Sequence, residues 1–160
     1  MAKVLVSYYS RSGNTRRMAE KVDEGLASVQ GVAVTLKKIE DTTIDDLLEF
    51  DGIIIGSPTY FGNMAAQVKK LIDESVKHFG KLTGKVAGVF TSSQGIGGGN
   101  ETTNLSILQA LLIHGMIVQG LQKGSHYGPV SVGAPDENAQ EECLRYGKQL
   151  GELTRKLFGS

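Results

Sequence analysis

Several scarce features narrow this chain before any motif is considered. Cys143 is its only cysteine in 160 residues. That excludes an internal disulfide and an iron–sulfur cluster held by cysteines. Three prolines and no low-complexity stretch leave no linker, so residues 1–160 are read as a single domain. No apolar run approaches the length of a membrane span. The three histidines are too dispersed for a metal-site signature, and no metal is expected. Charge of one sign is missing as well: 17 basic and 17 acidic residues cancel. Bulk electrostatics therefore gives no reason to expect nucleic acid. The opening MAKVLVSYYS enters a strand directly, with no signal-peptide pattern, so a cytoplasmic location is expected.

What is present is an alternation of apolar strands and amphipathic helices. Lys3 to Tyr8 is a short apolar run with β-branched members. Asn14 to Val29 places Met18, Val22, Leu26 and Val29 at helical spacing. Val32 to Lys38 alternates, as in a strand near a sheet edge. Thr43 to Phe50 predicts a short helix. Gly52 to Ser57 and Lys85 to Thr91 are nearly continuous apolar strands, the pattern of a sheet covered on both faces. Met64 to Val76 and Leu105 to Ile113 predict helices between them. Met116 to Gly120 predicts the last strand. Asp136 to Phe158 predicts a closing helix, with Cys143 on its apolar stripe as core filler. Five βα units predict an α/β fold with a doubly wound parallel sheet and helices on both faces. Such sheets bind ligands beyond the carboxyl ends of their strands.

The loops at those ends carry the chemistry. After strand one comes Ser10-Arg11-Ser12-Gly13-Asn14-Thr15, rich in hydroxyls and leading into a helix start. Free amides and the positive helix end there suit a phosphate, although a merely capped helix gives the same pattern. There is no lysine and no GxxxxGK[ST] pattern, and the GxGxxG fingerprint is absent too. After strand three comes Pro58-Thr59-Tyr60-Phe61-Gly62-Asn63. Tyr60 and Phe61 can flank a planar ring; core packing is the other reading of Phe61. After strand four comes Ser92 to Thr102, whose glycines make either a backbone cradle for a ligand or a surface loop. Within it, Glu101 reads as a helix-start carboxylate. A phosphorylated planar ring fits all three loops together.

The SRSGNT loop resembles the flavodoxin phosphate loop. A longer resemblance, to the WrbA type of NAD(P)H:quinone oxidoreductase, runs along the whole chain. It rests on AKVLVSYYS, GSPTYFGNMAAQVKKLID, LTGKVAGVFTSS, GGGNETT, HGMIV and YGPVSVGAPDENAQEECLRYGKQLGEL. The resemblance implies a flavodoxin-like sheet in the order 2-1-3-4-5 and bound FMN. It implies two-electron transfer from NAD(P)H, as a substrate, to a quinone. Ser10, Ser12, Gly13, Asn14 and Thr15 are then expected at the FMN phosphate. Pro58, Thr59, Tyr60, Phe61, Gly62 and Asn63 are expected along the isoalloxazine, with Ser92, Ser93, Gln94 and Gly95 beside the ribityl and pyrimidine. His114 matches the histidine of the family's HHGM stretch, which lines the active site. The chain departs from the family in having Tyr60 where arginine is frequent, in lacking tryptophan, and in lacking the insertion before strand three.

On this reading a ping-pong exchange follows, with His114 orienting substrate or protonating the quinol oxygen. The alternative for His114 is a helix-end residue bonded to the last carbonyls. His78 reads as a helix-end residue, and His126 with Tyr127 as a rim of the entrance. A homo-oligomer, dimer or larger, is expected, with a redox protein as a possible partner. The competing functions are a flavodoxin-type electron carrier and a non-catalytic binding protein of the same fold.

Overall fold

The computed structural model describes residues 1–159. Strand β1 (Ala2–Tyr8), helix α1 (Asn14–Ala27) and strand β2 (Val32–Lys38) form the first unit. A 3-10 turn (Ile39–Asp41) and the single-turn α2 (Asp46–Glu49) lead to β3 (Gly52–Tyr60), which folds back on β4 (Asn63–Met64). Helix α3 (Ala66–Glu74) continues into a 3-10 turn (Ser75–His78) and then β5 (Val86–Ser93). Helix α4 (Asn100–Ile113), strands β6 (Ile117–Val118) and β7 (Val130–Val132), and α5 (Glu137–Phe158) complete the chain.

The parallel sheet runs β2-β1-β3-β5-β6. Without the hairpin strand β4 this is the expected order 2-1-3-4-5. Period-two alternation divides the strands between two cores. Val4, Val6, Ile54, Val86 and Phe90 pack with α1 and α5, through Met18, Val22, Leu26, Cys143, Tyr146 and Leu150. Leu5, Ile53, Ile55, Ala87 and Val89 face the other way, against Leu47, Val68, Leu71, Ile107 and Leu111 of α2, α3 and α4. Cys143 is fully buried, as core filler should be. Burial, with Glu142 alongside, pushes its thiol up to about 12.

Helices α1 and α5 meet at glycines. A Cβ on Gly147 would lie 2.2 Å from the Val22 carbonyl oxygen, and one on Gly25 2.1 Å from that of Leu144. The backbones therefore touch without intervening side chains.

The last strand departs from expectation. Of Met116 to Gly120, only Ile117 and Val118 pair, with Val86 and Ala87. The upper half of that edge is β7, registered as Thr91 with Val130 through Ser93 with Val132. Residues 119–129 bulge out between the halves. Within the gap the Val89 N–H donates to the Tyr146 hydroxyl at 3.1 Å. Thr91, two residues on, donates to Pro129 on the same side, so the buried tyrosine replaces one missing rung of the ladder. A buried N–H is thereby kept from being orphaned. Helix α4 also begins earlier than its apolar spacing indicates, because its first turn is polar.

Candidate active site

All parallel strands end at one edge, which gathers the three loops that follow β1, β3 and β5. Between them lies a cleft of about 310 Å3, lined by Arg11, Ser12, Asn14, Thr15, the Pro58–Tyr60 strand end and Ser92–Gln94 with Gly133. That volume is at the lower end for small-molecule sites. A larger hollow of about 500 Å3 opens between β7 and the start of α5, but three carboxylates, Asp136, Glu141 and Glu142, line it against one cation, Arg145. Carboxylates there disfavour a phosphate, and the hollow has no aromatic wall.

One end of the cleft is built for an anion. Gly13 precedes α1 in a left-handed conformation (φ 98°), and α1 has neither a side-chain cap nor an acid in its first turn. The first helical bond runs from Arg17 N to Gly13 O, so the amides of Asn14, Thr15 and Arg16 have no helical acceptor. By contrast α5 is capped by Asp136, which accepts from Ala139 N at 2.8 Å. Ser10 shapes the loop by accepting from Gly13 N at 3.1 Å. Among the described residues, the Ser12 hydroxyl and the Asn14 amide bond no protein group. These neutral donors at an uncapped helix start suit a phosphomonoester.

The other end is aromatic. Tyr60 meets Tyr9 edge-on, with ring centroids 6.4 Å apart. Burial pushes the Tyr60 hydroxyl above its ordinary pKa, Tyr9 adds to this, and the Arg11 guanidinium pulls it back. A flat ring beside Tyr60 with its phosphate at α1 would match both ends.

Hydroxyl bonds lock the loops together. Thr15 and Ser92 share a buried hydrogen bond of 2.8 Å, 77 residues apart in sequence. Thr91 donates to the Ser57 carbonyl at 2.6 Å, and Ser57 Oγ accepts from Ala65 N at 2.9 Å. Thr102 reaches from α4 to the Gly62 carbonyl at 2.8 Å. A Cβ on Gly99 would stand 2.5 Å from the Gly62 Cα, so the third loop rests on the hairpin through two glycine backbones.

Of the residues expected here, Ser12, Asn14, Thr15, Pro58, Thr59, Tyr60, Ser92, Ser93 and Gln94 line the cleft. Ser10, Gly13 and Gly95 belong to the same loops but are not among the lining residues. Asn63 pairs with Tyr60 across the hairpin, and its side chain accepts from Met64 N. Phe61 and Gly62 form the hairpin tip with φ of 50° and 74°. Two positive values mark the mirror-type turn that favours a right-twisted hairpin. Phe61 is not in the core; it is fully exposed at that tip.

His114 is not among the residues that line the cleft of its own chain. Helix α4 runs back against the strands, so its last turn lies at their amino ends. The Gly115 carbonyl accepts from Gly84 N at 2.9 Å, just before β5 begins. The length of β5, roughly 25 Å at about 3.3 Å per residue, separates it from the cleft. The His114 ring is buried and bonds Ser75 Oγ through Nε2 at 2.8 Å. Ser75 donates its own hydrogen to the Ile72 carbonyl, so Nε2 must carry the proton. Nδ1 has no partner among the described residues. Burial lowers the ring's pKa. Phe79 lies tilted against this imidazole, 6.3 Å between centroids. His78 bonds Asp45 at 2.8 Å, and His126 bonds the Leu121 carbonyl at 2.8 Å.

Arg11, Tyr9 and Gly133 were not singled out from sequence. Arg11 occupies a position between two hydroxyl residues that signals nothing by itself. Gly133 follows β7, a strand too short to register as one. No group of three His, Cys, Asp or Glu side chains among the described residues can hold a metal. None of the described helices is long and apolar enough to cross a membrane.

A profile of the NADPH-dependent FMN reductase family matches residues 3–127. The chain belongs to this family. Within the wider flavodoxin-like superfamily, this FMN reductase family member is 41% identical to a flavodoxin of Aquifex aeolicus, covering 95% of this chain and 86% of that one. It is 35% identical to an NAD(P)H dehydrogenase (quinone) of Archaeoglobus fulgidus, over 98% of this chain and all of that one. The crystal structure of a flavodoxin, WrbA-like protein from Agrobacterium tumefaciens superposes with a TM-score of 0.83 at 29% identity, over 98% of this chain and 99% of that one.

Proposed function

We propose that this FMN reductase family member is an FMN-dependent oxidoreductase that moves two electrons from NAD(P)H to a quinone, in two separate half-reactions. The observation that carries the reading is the cleft itself: an uncapped helix start with neutral donors at one end and Tyr60 at the other. The 35% identical NAD(P)H dehydrogenase (quinone) supports the choice of donor and acceptor.

Ser10, Ser12, Gly13, Asn14 and Thr15 would hold the phosphate of FMN. Pro58 to Asn63 would border its ring, and Ser92 to Gly95 its ribityl and pyrimidine side. FMN, when bound, supplies the capacity to accept a hydride equivalent and to release two electrons singly or together. The chain's part is placement. The amides at the start of α1 orient the phosphate, and the bonded loops keep the cleft from relaxing. Tyr60 holds the ring end against Tyr9. The exposed side of the cleft leaves room for a nicotinamide and then a quinone in turn. The active form is proposed to be one domain in a homo-oligomer, dimer or larger, in the cytoplasm.

A second reading is favoured by one finding, the 41% identity to a flavodoxin: a carrier that passes electrons to a redox protein without turning over NAD(P)H. Anaerobic addition of NADPH or NADH to the FMN-loaded protein separates the two. The oxidoreductase loses its visible flavin absorbance quickly and regains it when quinone is added. Bleaching by dithionite but by neither nicotinamide would leave the carrier.

A further inference from the structure

Among the described residues, Arg11 is the only charged side chain lining the cleft. It is exposed, and among the described residues it forms no ion pair or hydrogen bond. The neighbouring cation Arg16, by contrast, is engaged with Glu20 at 2.9 Å. Nor is Arg11 needed to complete the phosphate end, where the uncapped start of α1 and neutral donors already serve a phosphomonoester. Arg11 and Tyr60 line the same cleft, and the guanidinium charge draws the Tyr60 hydroxyl's pKa down, so an exposed, unpaired cation stands ready to meet an anionic group of a second substrate.

We propose that Arg11 is a specificity-determining residue that receives the 2′-phosphate of the nicotinamide donor and makes NADPH preferred over NADH. This rests on the oxidoreductase reading above. NADH and NADPH share the nicotinamide and the diphosphate; a dianionic phosphomonoester on the adenosine ribose is all that separates them. Arginine's planar fork matches such a group with two parallel N–H donors, as lysine's point charge cannot. An arginine near the ribose is a general solution for admitting a 2′-phosphate. The whole chain carries no net charge, so no bulk field favours the more anionic donor. Any preference between the two donors then has to come from a local group.

The test compares wild type with Arg11→Gln and Arg11→Lys, each loaded with FMN, and with Arg17→Gln as a charge-matched control. Arg17 lies on the exposed side of α1, away from the cleft lining. Arg11→Gln should lower the ratio of kcat/KM for NADPH to that for NADH by roughly tenfold or more, the scale of one lost charge-assisted bond. Arg11→Lys should fall between, and Arg17→Gln should keep the wild-type ratio. Calorimetric binding of two redox-inert probes gives a readout free of turnover. 2′-Phospho-ADP-ribose should bind Arg11→Gln about tenfold more weakly than wild type, and ADP-ribose should lose much less. An unchanged ratio would overturn the proposal. So would an equal loss with both donors accompanied by weaker FMN retention, since Arg11 would then serve the flavin's own phosphate. If neither nicotinamide reduces the wild type, the oxidoreductase reading fails. The two-probe comparison still decides whether Arg11 recognises a 2′-phosphate.

Discussion

Thr15 and Ser92 lie 77 residues apart in sequence and share one buried hydrogen bond of 2.8 Å. It joins the first turn of α1 to the end of β5, and so ties the loop that would hold a phosphate to the loop that would flank a ribityl chain. Both side chains are almost wholly buried. Neither hydroxyl could lose its partner cheaply.

Thr15→Val removes one hydroxyl while keeping the shape and leaves Ser92 unpaired. Its unfolding free energy should fall by about 1–3 kcal/mol. FMN should bind more weakly as well, and Thr15→Ser should recover both. Urea unfolding of the apoprotein and fluorescence titration with FMN read the two effects separately. A Thr15→Val variant as stable as wild type would show that the bond contributes little.

His114 makes stability depend on pH. Its pKa in the folded protein lies below the ordinary 6.5 because burial disfavours the charged ring. In the window between the two values the unfolded chain binds a proton that the folded chain does not, so stability rises with pH there. The full contribution is present above about 6.5 and is lost as pH falls through the lower folded value. His114→Gln should flatten the decline in urea midpoint between neutral pH and about pH 5. Its FMN content should match wild type, because the ring is remote from the cleft. A variant that folds normally but no longer takes up FMN would contradict that placement.

Gly147 is required for close approach. Its substitution by alanine puts a Cβ 2.2 Å from the Val22 carbonyl oxygen, a backbone atom that cannot swing away. Gly147→Ala should cost about 1–3 kcal/mol, the usual range for overpacking. Gly95→Ala is the contrast, since a Cβ there meets nothing within 4 Å. Thermal melts of the two apoproteins should differ by several degrees, as expected for a domain of this size. Equal melting temperatures would refute the close-packing account of α1 and α5.

Cys143 should be inert in the folded protein. It is fully buried, and its thiol is pushed up to about 12 by burial and by Glu142. The thiolate is the reactive form. A chromogenic disulfide reagent at neutral pH should label it only after denaturant is added, with one thiol per chain. Prompt labelling of the native protein would place the sulfur near solvent.

Much of this molecule was legible in its residues because local physics wrote it there. A buried parallel strand must be apolar on both faces, so Gly52 to Ser57 announced itself. The lone cysteine at helical spacing with Tyr146 and Leu150 announced a core position. SRSGNT offered hydroxyls and a glycine ahead of a helix, which is a statement about free amides that needs no fold. The loops after the strands could therefore be named, and nine of their residues meet in one cleft.

Other features depended on the path of the chain through space. His114 reads equally well as a site residue or a helix end until the direction of α4 is known, and that direction carries it to the far edge of the sheet. The strand after α4 looked continuous because apolar pattern reports burial, not pairing; β6 and β7 divide that edge, with Tyr146 filling the missing rung. Phe61 carries the same side chain whether it enters a core or stands at a hairpin tip, and two positive φ values put it outside. Arg11 gained meaning only when Tyr60, 49 positions later in the chain, came to line the same cleft. Sequence by itself determined which segments must be buried and which loops could donate hydrogen bonds, because those are properties of a residue and its near neighbours. Tertiary structure decided which distant groups share a cleft, because that follows from strand order and helix direction.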